Sequence, residues 1–309
     1  MIRLAQNKDK DKIIDLWKEA FDDEKWFIVA FIEYVLENEK LYIWEKEDEL
    51  VSMLAVIRGE GIDNSEGNRK IQEVGYIYGV ATALKYRKMG YSKLLMQHLL
   101  KEFRKEKIDA ILVPENAGLF DFYKKIGFEI FSNMQRRKID YKENHNILEG
   151  KIENFKSISF EEYNIIREKF LKDFHTVKFK DINKKSSSIS LNSPLEIKTI
   201  IKLNYDFMKL QKEVYLLEDG CIKSLEIDGK TVGIWYKYID DLIIIDEITD
   251  AYRYDEIAEW IAYMEKKSVT YLDYRKDEIL TADSFYSMCY RWNKVEANKD
   301  FGYMNLVLK

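Results

Sequence analysis

Residues 85–95, KYRKMGYSKLL, place two cations (Arg87 and Lys88), a glycine (Gly90) and a small serine (Ser92) at the start of an amphipathic helix. A strand that runs through a loop into a helix leaves main-chain N–H groups at the helix start without intrahelical acceptors. Gly90 lets that backbone approach a ligand closely, the two cations add formal charge, and Ser92 keeps the first turn low beside a bulky guest. The anion that suits these features is a pyrophosphate; the alternative is a solvated pair of surface cations.

The strand before the turn, EVGYIYGVAT (73–82), carries Gly75 and Gly79 in its interior. Strand glycines mark a bulge or a splay, which frees N–H and C=O groups that a regular ladder consumes, or they only satisfy a steric twist. An extended ligand with amides of its own can use the freed groups.

The elements around these residues follow from apolar periodicity. Ile2 and Leu4 predict a short strand; Ile13, Ile14, Trp17, Ala20 and Phe21 one helical face; Trp26, Phe27, Ala30, Phe31, Tyr34 and Val35 a second. Residues 40–57 read as two strands around the polar turn EKEDE, 58–70 as a loop, and 73–82 as a third strand. The helix with Leu94, Leu95, Leu99 and Phe103 follows, then the strand DAILV and a helix capped by Asn116 and closed by Gly127, with a last strand in MQRRKIDY. The order β-α-α-β-β-β-α-β-α-β predicts an α/β (α+β) domain over residues 1–145, a mixed sheet flanked by helices.

Residues 146–309 predict a second α/β unit: a helix at 160–173, a serine-rich loop at 183–193, and strands from 213 onward with Asp228-Gly229 as a hairpin turn. A helix at 254–267, a strand at 269–275 and a terminal strand at 303–309 complete it. The β-β-β-α-β succession echoes the first half, as a diverged duplication would. Its corresponding turn, DAYRYDE, has no glycine and acidic flanks, so no second anion cradle is expected. The segment CYRW (289–292) reads as core aromatic packing.

Composition narrows the functions. The formal net charge is -5, but residues 1–84 hold 11 Lys/Arg against 18 Asp/Glu (-7) and residues 85–107 hold 8 against 2 (+6). The positive block is local, and a pI near 5.6 offers no broad surface for nucleic acid. Only Cys221 and Cys289 are present, read as buried thiols, and His98, His145 and His175 lack metal-ligand spacing, so no metal is expected. No apolar run is long enough to span a membrane and the opening residues hold no signal-peptide core, which predicts a cytoplasmic chain. Homo-oligomerisation is left open.

YIYGVATALKYRKMGYSKLL resembles the acetyl-coenzyme A signature of the GNAT superfamily of N-acetyltransferases, whose pattern Gln/Arg-x-x-Gly-x-Gly/Ala is met by Arg87 to Ser92, with Ser92 in place of Gly or Ala. VGYIYGVAT and FYKKIGF are most similar to the enhanced-intracellular-survival type. The resemblance implies a GNAT fold for residues 1–145, followed by a degenerate GNAT-like domain. It implies acetyl-CoA as co-substrate, with Val80, Ala81 and Thr82 beside the pantetheine arm. Arg87, Lys88, Met89, Gly90, Tyr91, Ser92 and Lys93 would hold the pyrophosphate, and Asn116 joins the coenzyme-contacting set.

The implied reaction is direct acetyl transfer to an amine, which needs a neutral nucleophile, a polarised thioester carbonyl and a proton for the leaving thiolate. Tyr123 matches the family's Tyr-x-x-x-Gly-Phe pattern and is the candidate acid, a phenol of pKa about 10; equally it is a structural tyrosine on an apolar stripe. The Val80 amide is the implied carbonyl polariser. No general base stands out: Glu73 and a water relay through Tyr76 or Tyr78 are open, and the Lys309 carboxylate is a candidate because the enhanced-intracellular-survival type uses its terminal carboxylate. That type delivers it from a sterol-carrier-like third domain, for which this chain is expected to be too short. Phe21, Asp22, Asp23, Glu24 and Trp26 lie where the superfamily forms its acceptor mouth, and carboxylates with aromatics suit a small-molecule or peptide ammonium; the alternative is helix-start charge. Two other readings stay in view, a Fem-type aminoacyl transferase with paired GNAT-like folds and a non-catalytic CoA-binding module.

Overall fold

At the chain's start, Arg3 in β1 (Ile2–Leu4) donates to both oxygens of Asp9 at 2.7 and 2.8 Å, and Gln6 N donates to the same carboxylate. That pins the entrance of α1 (Lys10–Ala20), whose Ile13, Ile14, Leu16 and Trp17 are buried. The computed structural model describes residues 1–63, 70–143, 148, 150–173, 199–217, 219–250, 252–273, 284–291 and 302–303.

The first half continues through α2 (Lys25–Asn38), β2 (Lys40–Lys46), β3 (Glu49–Asp63), β4 (Lys70–Thr82), α3 (Tyr91–Glu106), β5 (Asp109–Leu112), α4 (Ala117–Ile126) and β6 (Glu129–Ile139). The second half holds β7 (Ile152–Ser157), α5 (Phe160–Asp173), β8 (Thr199–Leu203), α6 (Tyr205–Leu217), β9 (Gly220–Ile227), β10 (Lys230–Ile239), β11 (Leu242–Ile248), α7 (Tyr254–Glu265), β12 (Ser268–Asp273), β13 (Ser284–Tyr290) and β14 (Gly302–Tyr303). The element order predicted for the first half is the one observed, in a mixed α/β sheet flanked by helices.

Two predicted segments need correction. Residues 58–70 are not one loop: β3 runs on to Asp63 and β4 begins at Lys70, because β8 pairs with that arm from Gly59 to Asp63 and extends it. Residues 213–217 are not a strand but the end of α6, whose start is capped by Asn204 accepting from Phe207 N at 2.8 Å. Of the predicted terminal strand only Tyr303, in β14, lies within the described residues, and the serine-rich stretch lies outside them. The Asp228-Gly229 turn is as expected, with both residues at positive φ between β9 and β10.

One described sheet runs β1-β2-β3-β4-β5-β13-β6-β12-β11-β10-β9-β7, with β8 on β3 and β14 on β8. The second half repeats the first half's pattern, since β9, β10 and β11 are antiparallel and β12 is parallel to β11 across α7. The sheet is continuous across the 145/146 boundary, although one core, around Tyr236, Ile257 and Tyr271, draws its buried residues wholly from the second half. β13 inserts between β5 and β6, and Phe207, Tyr163 and Trp235 of the second half share a contiguous core with Trp17, Phe31 and Tyr76 of the first.

Candidate active site

β4 carries the geometry its glycines predict. Met53 of β3 faces Ala81 while Ala55 faces Tyr78, so β4 accommodates one extra residue between them, a bulge at Gly79 and Val80. Gly79 has φ +61, and a Cβ on it would stand 2.6 Å from the Trp17 ring; both facts demand glycine. Gly75 has a packing reason instead, a Cβ there meeting Phe103 at 2.4 Å. On its other side β4 pairs with β5 only at Val74, Gly75 and Tyr76. From Ile77 onward the two parallel strands part, and the outward backbone of Val80, Ala81 and Thr82 borders the gap. Their inner side is secured: Ser52 Oγ donates to Ala81 O at 2.7 Å and lies 3.0 Å from Thr82 Oγ1.

The strand then delivers the chain to the start of α3. Lys88 and Gly90 are both left-handed, at φ +65 and +85, and no side chain caps the helix. The first amide to bond back is that of Leu94, to Gly90 O at 3.0 Å, so the amides of Tyr91, Ser92 and Lys93 sit at the open end of the helix dipole. Arg87, Lys88, Met89 and Gly90 are exposed around it, and Arg87 folds back so that Nε donates to Thr82 O at 3.1 Å. Open helix amides beside cations can receive an anionic group at the mouth of the gap, and the residues present would fit acetyl-CoA: backbone for the pantetheine amides, open helix amides and cations for the phosphates.

In the second half Asp250, 3% exposed, accepts from Tyr252 N at 2.9 Å and Arg253 N at 3.0 Å in the turn ahead of α7, and Lys230 Nζ donates to it at 3.1 Å. The first turn of α7 has no side-chain cap and carries Asp255 and Glu256, whose charge opposes an anion there.

Tyr123 lies on α4, 6% exposed, in the core shared by Ile77 of β4 and Leu112 of β5, with rings of Phe122 at 5.1 Å and Phe128 at 5.8 Å. Burial, with the charge of Glu115 adding to it, pushes its phenol up to about 12, so it is protonated at neutral pH and can only donate. Tyr76 and Tyr78 are raised chiefly by burial as well. The charges of Asp23 and Glu115 add to the effect at Tyr78, and the Tyr76 and Tyr78 rings lie 5.9 Å apart on β4. Asn116 caps α4 as predicted, its Oδ1 accepting from Leu119 N at 3.2 Å.

The five acceptor-mouth residues divide. Asp23 turns inward, accepting from Trp17 Nε1 at 2.7 Å, and Phe21 packs on the same indole at 5.1 Å. Trp26 is 37% exposed with its edge on Phe27 at 6.2 Å. Asp22 and Glu24 face solvent, and Glu24, at the start of α2, makes no capping bond. Glu73 is exposed opposite Glu60, at the far end of β4, about 20 Å from the bulge by strand rise, too far for a direct base. It borders a separate recess of about 740 Å³ shared with α2, α5 and β8. Lys309 lies outside the described residues.

Sequence reasoning missed Glu115, Ser52 and the Trp17–Asp23 bond, and it assigned Trp17 only to a core stripe. It also missed Phe207, whose ring packs 6.5 Å from Tyr76 and from Phe31; the capping pattern of Asn204 ahead of α6 was the available signal. Cys289 and Tyr290 pack in the core as read, buried in β13. Among the described residues no group of three or more His, Cys, Asp or Glu is arranged to hold a metal, and no helix is long and apolar enough to cross a membrane.

Residues 1–131 match the family model described as acetyltransferase (GNAT) domain. No curated protein matches the sequence. Among solved structures the chain resembles a protein from Enterococcus faecalis described as a probable N-acyltransferase (TM-score 0.69, 15% identity, covering 94% of this chain and 72% of that one). It also resembles a GCN5-related N-acetyltransferase from Kribbella flavida (0.65, 14%, 94% and 70%) and Eis1 from Mycobacterium abscessus (0.61, 12%, 96% and 75%). At these identities the likeness is one of fold, and it spans both halves of the chain.

Proposed function

We propose, on the premise that residues 1–131 form a GNAT acetyltransferase domain, that the protein moves the acetyl group of acetyl-CoA to a primary amine, cationic in solution, by direct attack in a ternary complex. The observation that carries this reading is the alignment along β4: a bulge, a parted parallel neighbour and an uncapped helix start lie in series, with Tyr123 in the core that Ile77 of the same strand shares.

In this reading the open amides of Tyr91, Ser92 and Lys93, with the Arg87 and Lys88 charges, grip the diphosphate. The pantetheine arm takes the place of the sheet partner that β5 no longer supplies, lined up along the backbone of Val80, Ala81 and Thr82. The Val80 amide polarises the thioester carbonyl. The amine nitrogen, neutral at the moment of attack, forms the new C–N bond as the C–S bond breaks; Tyr123 Oη gives its proton to the departing sulfur, and the proton the nitrogen sheds on becoming an amide returns through solvent to the Tyr123 phenolate. Starting from an ammonium, the net reaction releases one proton to solvent. Asp23, oriented by Trp17, draws the cationic acceptor to the gap, with Phe21 and Trp26 as apolar walls and Asp22 and Glu24 as the outer field. The second half, whose turn into α7 has no glycine and whose first helical turn is acidic, is a degenerate GNAT-like unit without a coenzyme.

The test is thiol release from acetyl-CoA against a panel of aminoglycosides, polyamines, peptide amines and lysine. Turnover is expected with at least one amine, and Tyr123→Phe is expected to lower kcat on the order of 10²-fold with acetyl-CoA affinity retained. Tight coenzyme binding with no acceptor-dependent thiol release would refute the catalytic reading.

A further inference from the structure

The second half of the chain reaches into the first through β13, and its Tyr290 touches the Tyr123 motif. β13 sets Met288, Cys289 and Tyr290 opposite Leu112, Ile111 and Ala110 of β5, and Tyr290 is 4% exposed. Its ring lies against the turn that ends α4: a Cβ on Gly127, itself at φ +108, would stand 3.3 Å from it, and the Phe128 ring is 5.8 Å away. Arg104 of α3 closes the other side, its guanidinium 5.9 Å over the ring and donating to the hydroxyl.

That turn holds Tyr123 in place. Gly127 N donates to Lys124 O at 3.0 Å, and Phe128 N donates to the carbonyl of Tyr123 itself at 3.1 Å, the paired bonds of a helix end closed by a left-handed residue. Glycine has no side chain with which to steady the turn, so the flat surface behind it decides where the turn sits. A shift of Tyr290 reaches Tyr123 through two contacts, ring to Gly127 and Phe128, then Phe128 N–H to Tyr123 O.

We propose that Tyr290 is a positioning residue for Tyr123: a strand of the second half supplies the surface that sets the end of α4, and with it the direction of the Tyr123 phenol in the gap between β4 and β5. This rests on the proton-donor role given to Tyr123 above. It makes the second half a working part of the first half's site.

The experiment compares Tyr290→Leu, which keeps apolar bulk but removes the flat ring, with Tyr290→Phe, which keeps the ring and loses only the hydroxyl. Acetyl-transfer kcat is expected to fall on the order of 10-fold or more in the leucine variant, since small misplacements of a reacting group are costly. The KM for acetyl-CoA should hold, because the helix start that binds it is elsewhere, and the phenylalanine variant should restore kcat. A second readout needs no turnover: ¹³Cζ-tyrosine NMR, with the Tyr123 signal identified by Tyr123→Phe. Its titration should move from about 12 toward the free-phenol value of about 10 in Tyr290→Leu. If the wild-type protein acetylates no amine, the functional reading fails while this titration still decides the positioning. An unmoved titration with unchanged kcat overturns the proposal. Should Tyr290→Leu fail to fold, Gly127→Ala presses a methyl on the same ring from the other side, and the same absence of change there overturns it.

Discussion

Replacing Gly79 by alanine tests the bulge on which the site is built. At φ +61 a Cβ meets the following carbonyl, a strain of about 1 kcal/mol. The methyl would also stand 2.6 and 2.7 Å from two atoms of the Trp17 ring. That ring is hemmed in by Phe21, Phe31 and Tyr78 with centroids 5.1, 5.0 and 5.8 Å away, so it cannot yield freely, and overpacking of this kind costs about 1–3 kcal/mol. The expected loss is about 2–4 kcal/mol in all. Gly229→Ala is the matched control: its φ is +72 but nothing lies within 4 Å of the new methyl, so only the strain of about 1 kcal/mol applies. The unfolded-state benefit of losing a glycine is common to both and cancels in the difference. Urea unfolding of the pair, compared at a common slope, reads that difference directly. Because Trp17 Nε1 holds Asp23, Gly79→Ala should also raise the acceptor KM. Equal destabilisation by the two variants would show that the indole is not seated against the bulge and would sink the account of β4.

The remaining predictions concern charge. The two hydrogen bonds from Arg3, the largest cause, hold the Asp9 carboxyl down to about 2 from 3.8, so the pair contributes about 2 kcal/mol that is fully present above pH 4 and lost as pH falls toward 2. Arg3→Met should remove that contribution at pH 7 and flatten the acid limb of the stability profile. Arg167 and Glu247 are 1% and 0% exposed and bond at 2.7 Å, and Tyr163 Oη donates to the same carboxylate at 2.5 Å. Glu247→Leu should therefore cost about 3–5 kcal/mol in urea unfolding, and Glu247→Leu with Arg167→Met should recover much of it. Reversing Arg87 and Lys88 to glutamate should weaken acetyl-CoA binding on the order of 10-fold or more by calorimetry, leaving thermal stability near wild type. Neutralising Asp22, Asp23 and Glu24 should raise the acceptor KM while sparing acetyl-CoA binding, and Asp23→Asn alone should carry most of the effect, since it alone of the three faces inward.

The parts of this protein that the sequence determined by itself are those whose causes lie within a few residues. The uncapped start of α3 follows from a glycine in the left-handed conformation ahead of an amphipathic run, the Asp228-Gly229 hairpin from two residues that tolerate positive φ, and the ends of α4 from Asn116 and Gly127. The bulge in β4 is of the same kind. Residues 213–217 show the limit: a short apolar run fits a strand and a buried helix end equally, and only packing against the first half's aromatic floor selected the helix. What tertiary structure alone decided is which distant segments meet. β8 on β3, β13 between β5 and β6, Trp17 on Asp23 and Asp250 on the start of α7 join residues whose separation along the chain leaves little trace in local pattern. The entropy of closing a loop rises only slowly with its length, so a near and a far strand compete almost evenly for an edge, and shape and burial make the choice. The uncapped helix start beside its cations is thus a local object, readable from a string of residues. The surroundings of Tyr123 are not, because the Tyr290 ring against the end of α4 arrives from a strand more than 150 residues downstream.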